Sequence, residues 1–407
     1  MIRLWLGLAL ACLCVACRPT ATTQNNPNSP PPYTVVWADG ADLYGWRGDG
    51  NGARRILLNV GEGELQLSPD ASRIAFTRAD GQNADVLFVV NFDGTEHHEL
   101  VNTNTLSNDS GGEIRIQDFR WATPNLLLFN TSAIYDWGGF SALDTLYAID
   151  FPNRTLRVIF EAPRGGAFTL SPNGLHAAVT SAGLRESNAQ LQIVETATGV
   201  VVKTMRYEAP PLSENTMPLY PRVEWESDGL SLRLSVPNLS ESNITVWRVP
   251  LQGEPAVRAY VSGSPYGLPE RNETNGSLIY LADVNTSSQS ASVMVADADG
   301  TQSRLISSGV RIPRAYGWVN ETTRYYFTQG TANAETLWLG QGTTPPLAMP
   351  YTFLHWELNG TLLTHVRQNA DGSRGLYRLS LEGFSNTQPV FMAQVGNITG
   401  YDTVGRP

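Results

Sequence analysis

Beyond residue 17 the chain has no cysteine: all three, Cys12, Cys14 and Cys17, stand near the start of its 407 residues. Disulfides, thiolate catalysis and Cys-ligated zinc or iron–sulfur sites are thereby excluded for everything downstream. Lysine is almost missing as well. Lys203 is alone among 28 basic residues, which reads as a bias of coding composition rather than of function. Charged residues are only 16%, against about 25% in an average domain. The formal net charge of −10 argues against a nucleic-acid partner or a polybasic membrane-surface role. After residue 16 no apolar run approaches the roughly 20 residues of a membrane span, and no stretch keeps a helical apolar period. What is present is a 42% hydrophobic complement, enough for a large core, in segments of alternating residues or short apolar runs.

The first 32 residues are not expected to join the fold. Arg3 precedes an apolar run from Leu4 to Ala16, too short to span a bilayer and shaped like a secretory signal. The stretch Cys14-Val15-Ala16-Cys17 resembles the lipobox of bacterial lipoproteins, although Cys14 stands where the usual box has Leu. The resemblance implies cleavage before Cys17 and lipidation of that residue; Ala9-Leu10-Ala11-Cys12 is a competing site. Residues 18–32 are polar and Pro-rich, a composition that cannot bury enough surface to fold, and are expected to form a flexible tether.

From residue 33 onward one unit recurs. Its clearest copy, Leu65 to Val101, has a Ser68-Pro69-Asp70 turn, a strand from Arg73 to Thr77, a strand from Asp85 to Asn91 and a Phe92-Asp93-Gly94-Thr95 turn. Pro-Asp and Asp-Gly supply turn geometry between alternating strands. Degenerate copies follow in phase: Ser171-Pro172-Asn173-Gly174, Glu226-Ser227-Asp228-Gly229, and the neighbourhoods of Trp121, Trp318 and Trp356. The second strand of each unit is placed near Thr34, Arg73, Asn125, Leu175, Ser231, Ser277, Arg324 and Thr361, an average spacing of about 47 residues. Four strands in 40–50 residues is the period of a propeller blade. The expected fold is an all-β propeller over 33–407, of eight four-stranded blades, or seven if the weak copy at Pro313–Pro350 is merged. The first copy lacks an innermost strand and Asn397–Val404 is a strand with no copy after it. The C-terminal strand is therefore expected to complete blade 1 and close the ring.

The Ser-Pro-Asp … Ile-Ala-Phe … Leu-Phe-Val-Val-Asn … Asp-Gly pattern of residues 65–101 resembles the WD40-like repeat of TolB-type propellers. That resemblance implies an extracytoplasmic binding platform or, in peptidases of the prolyl oligopeptidase class, a substrate-gating domain. No Gly-x-Ser-x-Gly nucleophile elbow occurs anywhere, and a propeller reaching the last residues leaves no room for a hydrolase domain.

Candidate sites are few. His97 and His98, if on one strand, face opposite ways and cannot chelate together; His176, His355 and His365 fall in different blades and read as structural. Gly48–Gly52 and Asp297–Gly300 contain pieces of calcium loops but lack the distal bidentate Glu, so they read as turns. Asn-x-Ser/Thr triplets at Asn130, Asn153, Asn243, Asn272 and Asn359 read as loop composition. No cofactor and no metal are expected. Asp118, Glu224, Glu226, Glu270, Glu357 and Asp402 lie near the inner strands and are the carboxylates a channel enzyme would use. Trp121, Trp225, Trp318 and Trp356 are expected at one recurring, ring-packing position. Three segments exceed the repeat: Asn102–Ile116, Asn130–Asp144 and Glu208–Tyr220. The second carries Tyr135, Asp136, Trp137 and Phe140, residue types that suit an interface anchor.

The expectation is a bacterial, extracytoplasmic lipoprotein anchored through Cys17, in the outer membrane where there are two. Its propeller is a non-catalytic scaffold for an envelope protein, a peptide or a glycan, without nucleic acid. An enzyme with an acidic channel site and a structural subunit of an envelope complex are the alternatives.

Overall fold

The computed structural model describes residues 33–404, apart from 49–50, 62, 80–84, 107–112, 135–139, 142–144, 152, 163, 182–188, 208–219, 239–242, 263–266, 321, 332–333 and 383–387. Cys17 and the tether lie outside the described residues. The alternating pattern yields strands throughout. Among the described residues the one helical element is the 3-10 turn Thr103–Thr105.

The strands form eight antiparallel sheets, each a four-stranded meander. Blade 3 carries one extra short strand, Phe140–Ser141. Eight blades rather than seven is therefore the outcome; Tyr316–Trp318 and the three strands after it form a complete blade 7. Second strands begin at Thr34, Arg73, Leu126, His176, Ser231, Leu278, Arg324 and Leu362, each within one residue of its sequence position. Blade 1 is completed by Ile398–Val404, which pairs antiparallel with Thr34–Asp39, Thr34 opposite Val404 and Val36 opposite Asp402. The ring is closed by hydrogen bonds between the two ends of the folded chain.

Two-faced strands bury their apolar residues between blades. There are eight apolar clusters, one in each seam. The thickest lies between blades 1 and 2 and includes Val36, Leu43, Ile74, Phe76 and Phe88. The closing seam, between blades 8 and 1, buries Tyr33, Val35, Trp37, Leu362, Val366 and Leu376. Among the described residues the thinnest, between blades 5 and 6, has six buried members, Val246, Ala259, Val261, Leu278, Tyr280 and Ala296, against twelve between blades 1 and 2.

Because each blade is a meander, its connections alternate between two ends of the ring. First-to-second and third-to-fourth strand turns gather at one end. Second-to-third strand connections and the crossings to the next blade gather at the other. The first end is made of tight turns with side-chain locks. In blade 2 the Ser68 hydroxyl donates to Asp70 Oδ1 (2.6 Å) and accepts from Arg73 N (2.9 Å). In blade 4 Ser171 does the same with Asn173 (2.8 Å) and His176 N (3.0 Å). In blade 5 Asp228 Oδ1 accepts from Leu230 N (2.8 Å). The left-handed position of this turn is Gly174 (φ +69°) and Gly229 (φ +66°), but Ala71 (φ +55°) in blade 2. A Cβ on Gly174 would stand 1.6 Å from the Ala122 carbonyl oxygen, so glycine is required there by contact with blade 3 as well as by backbone angle.

Candidate functional site

The inner strands bring charged side chains to the channel, and they fall into two unlike groups. On the side of blades 8, 1, 2 and 3 stand Glu357, Asp402, Glu64 and Asp118. Arg120 is the cation that lowers all four affinities for protons. Arg120 Nε lies 3.0 Å from Asp118 Oδ1. Burial, reinforced by the neighbouring Asp402 charge, pushes the Glu357 carboxyl up to about 8. Burial raises Asp402 to about 6, even though its Oδ2 accepts a 2.6 Å bond from Leu67 N of blade 2. Burial likewise raises Asp118 and Glu64. Burial on this side thus raises the proton affinity of all four carboxylates, most of all that of Glu357.

On the side of blades 5 and 6 the carboxylates are neutralised by arginine. Glu224 is held by charge: Oε1 lies 3.2 Å from Arg222 Nε and Oε2 3.0 Å from Arg233 Nη2. Arg222 Nη2 reaches across to Glu270 of blade 6. Glu226 accepts from the Ser231 hydroxyl (2.5 Å) and faces Arg248 (3.3 Å) and Arg271 (3.4 Å). Burial opposes its charge, but the hydroxyl and the two guanidiniums outweigh it and hold Glu226 below the ordinary glutamate range. The Arg233 side chain is 9% exposed, and burial lowers its proton affinity. Beside this network a cleft of about 590 Å³ opens between blades 5 and 6 at the tight-turn end. A smaller one of about 240 Å³ adjoins it toward blade 7.

All six carboxylates expected near the inner strands are there: Asp118, Glu357 and Asp402 on one side, Glu224, Glu226 and Glu270 on the other. The sequence reading missed Glu64, Arg120 and the four arginines 222, 233, 248 and 271. An Arg two residues from a Glu on one face of an inner strand (Arg222 and Glu224) was the available signal.

Three of the four tryptophans share a device. The indole N–H of Trp121 donates to Gln66 O (3.3 Å), that of Trp225 to Thr169 O (3.3 Å) and that of Trp318 to Glu270 O (3.0 Å), each on the inner strand of the preceding blade. Trp356 does not belong to this set. It pairs with the fourth residue of its neighbouring strand, His365, where Trp225 pairs with the second, Leu232. Its N–H goes instead to the Glu335 carboxylate (2.7 Å). The blade 8 hairpin turns in two residues, Gly360-Thr361, so alignment on the turn displaces everything before it by two.

Four of the five histidines, His97, His176, His355 and His365, lie against aromatic rings. His97 precedes its strand, which begins at His98, and lies 5.3 Å from the Phe88 ring and 5.9 Å from Phe76. His365 is fully buried among Tyr377 (5.6 Å) and Phe353 (4.8 Å), and burial pushes it down to about 3, so it stays neutral. Asn130 and Asn272 are 1% exposed and bonded through their side-chain amides, Asn130 to Gly166 O (2.8 Å) and Asn272 to Thr322 O (2.7 Å). Among the described residues no group of three or more His, Cys, Asp or Glu could hold a metal ion, and no helix is long and apolar enough to cross a membrane.

Two of the three long segments are in part a β-ribbon. The inner strand of blade 3 runs Glu113–Thr123 and its neighbour Leu126–Ile134. Glu113–Ile116 therefore pairs with Thr131–Ile134 rather than forming loop. Phe140 sits opposite Ile134 and Ser141 opposite Ala133. Arg115 Nη1 (3.1 Å) and Ile116 N (2.9 Å) fasten the ribbon to Asp85 of blade 2. Tyr135, Asp136 and Trp137 lie outside the described residues, as do 208–219. By strand order, the described strand ends that flank 107–112, 135–144 and 208–219 all lie at the crossover end.

No family model matches the chain, and no curated protein matches it by sequence. Solved structures do. A eukaryotic initiation factor aligns over 92% of this chain and 98% of its own, at 10% identity and TM-score 0.51. Prolyl oligopeptidase B from Galerina marginata aligns over 83% of this chain at 11% identity and TM-score 0.50. TolB from Acinetobacter baumannii aligns over 68% of this chain at 14% identity, with a TM-score of 0.32. The chain spans about half the length of the acylaminoacyl peptidases and prolyl oligopeptidases it matches. At these identities the likeness is one of fold. The class defined by strands, seams and closure is the eight-bladed β-propeller.

Proposed function

We propose that this propeller is a non-catalytic binding scaffold. It is tethered by lipid on Cys17 to the extracytoplasmic face of a bacterial membrane, the outer one where there are two. Its crossover end presents the segment 130–144, with Tyr135, Asp136, Trp137 and Phe140, to an envelope protein, peptide or glycan. The observation that supports this is polarity. Thr34 lies opposite Val404, at the tight-turn end, so the chain enters the ring from the side opposite the blade 3 ribbon. The point where a tether would join the ring and the blade 3 ribbon are thus at opposite ends, which leaves the ribbon clear of the attachment point. Propellers as a class serve unrelated functions, so the reading rests on this arrangement and not on the fold.

The test is co-purification. Tagged protein is solubilised from native membranes in mild detergent and its companions are identified by mass spectrometry. A stoichiometric companion is expected, retained when 383–387 at the tight-turn end is shortened and lost when 135–144 is replaced by a short glycine turn. Retention of the companion in the second variant contradicts the assignment. The rival reading, catalysis in the channel, would rest on Glu357 and Asp402; on our reading Glu357→Gln leaves companion binding unchanged.

A further inference from the structure

The cleft between blades 5 and 6 lies at the end of the ring opposite the proposed partner surface, and its chemistry is its own. We infer that it binds a small zwitterion bearing a carboxylate, an amino acid or dipeptide. Three observations carry this. The first is space. The seam's apolar core is the thinnest of the eight, and the cavity of about 590 Å³ is walled by two of its members, Val246 and Leu278, together with Trp225. That volume is in the range of small-molecule sites, and an apolar wall with a few polar groups is their usual make-up.

The second is unspent positive charge. Four arginines line the cleft: Arg233, Arg248, Arg258 and Arg271. Arg248 and Arg271 are paired with Glu226. Arg233 spends Nη2 on Glu224, while its Nε and Nη1 are buried without a hydrogen-bond partner among the described residues. Those two nitrogens face no open space, so the donors a ligand carboxylate can reach are the part-exposed guanidiniums of Arg248 and Arg271 and the exposed one of Arg258, charged donors that hold a carboxylate strongly. Arg258 is exposed at the rim and has no ion pair among the described residues. Four acids, Glu226, Asp228, Glu273 and Asp299, share the lining with these arginines, so the cleft holds both signs in equal number.

The third is the matching negative charge. Asp228 and Asp299 each use only Oδ1, on their own turns, the first with Leu230 N (2.8 Å) and the second with Thr301 N (2.9 Å) and Oγ1 (2.7 Å). Glu273 joins them on the exposed rim. A phosphate or a dicarboxylate would meet these three carboxylates as repulsion. An α-carboxylate held by the arginines, with its ammonium turned to the rim, meets both signs with attraction.

The test is calorimetric titration of the full chain with the dipeptide Ala-Leu, its C-terminal amide, its N-acetyl derivative and orthophosphate. Ala-Leu is expected to bind saturably. The amide is expected to bind at least about tenfold more weakly and the N-acetyl form several-fold more weakly, the size of one lost charged hydrogen bond. Arg258→Gln is expected to weaken Ala-Leu about tenfold with an unchanged melting temperature, since Arg258 takes no part in the ion-pair network of the seam. Arg271→Gln should abolish binding, and Arg258→Gln stands in for it if that variant fails to fold. No binding of Ala-Leu, equal binding of acid and amide, competition by equimolar orthophosphate, or wild-type affinity in Arg258→Gln would each overturn the assignment. None of these outcomes bears on the crossover end, so the two proposals fail separately.

Discussion

The closing seam and the seam between blades 5 and 6 show opposite solutions to one problem. The chain is interrupted inside blade 1, between Val404 and Thr34, and the seam beside that joint is thickly packed: Trp37 and Val35 lie buried against Leu376 and Val366, and the Asn359 amide stitches blade 8 to Thr403 O of the closing strand (3.2 Å). The acids beside it, Glu357 and Asp402, are kept off full charge by burial. Between blades 5 and 6 the chain is continuous, the apolar core is thin, and the acids are paired with arginine. Covalent continuity tolerates a loose, polar seam; a joint held only by packing and strand pairing does not. A seam free to be loose is also one free to hold a ligand.

Substitutions can break this contrast. The largest effect is expected at the closing seam: Trp37→Ala should cost about 4 kcal/mol in denaturant unfolding, the usual loss for emptying a large buried site. An effect below about 1 kcal/mol would mean that the joint is not where the ring's stability is concentrated. Next comes Glu224→Gln, which leaves Arg233 buried without its carboxylate and should destabilise by about 3 kcal/mol. The same change of type at Glu357 should have the other sign. Glu357 and Asp402 hold protons in the fold at pH values where the unfolded chain has released them. Unfolding therefore releases protons, and stability falls as pH rises from 4.5, the ordinary glutamate value, through about 8. Glu357→Gln should flatten that fall and stabilise by on the order of 1–2 kcal/mol at pH 8.5, read from unfolding curves at several pH values. A steeper fall in the variant would contradict the protonated pair. The smallest of these effects is at Asn359→Ala, about 1 kcal/mol for one lost hydrogen bond across the joint.

What the residues disclosed beforehand was the part of the molecule that is local. Ser68-Pro69-Asp70 and Ser171-Pro172-Asn173 carry their turn geometry within five residues, so blade count and strand starts followed from spacing. Closure was legible because Thr34–Asp39 has no inner partner before it and Ile398–Val404 has no copy after it. The site was legible only in outline. Asp118, Glu224 and Glu357 could be placed on inner strands, but their partners come from other strands and other blades. Arg233 meets Glu224 through lateral register, and Arg120 faces Asp402 through the curvature of the ring; neither is written in nearest-neighbour spacing. Trp356 was misplaced because a two-residue hairpin at Gly360-Thr361 replaces the longer turn of blades 5 and 7. The ribbon Glu113–Ile116 read as loop because its partner strand, Thr131–Ile134, lies across a hairpin in a segment of similar polar composition.

On the proposed reading the two ends of the ring divide the work, anchorage at one and partner binding at the other. Hydrogen exchange on the co-purified complex, compared with the protein alone, tests it most directly. The prediction is slowed exchange at the crossover end, in 103–116 and 130–145, with the turns at 68–72, 171–175 and 360–361 unchanged. Protection concentrated on those tight turns, with the blade 3 ribbon unaffected, would contradict it.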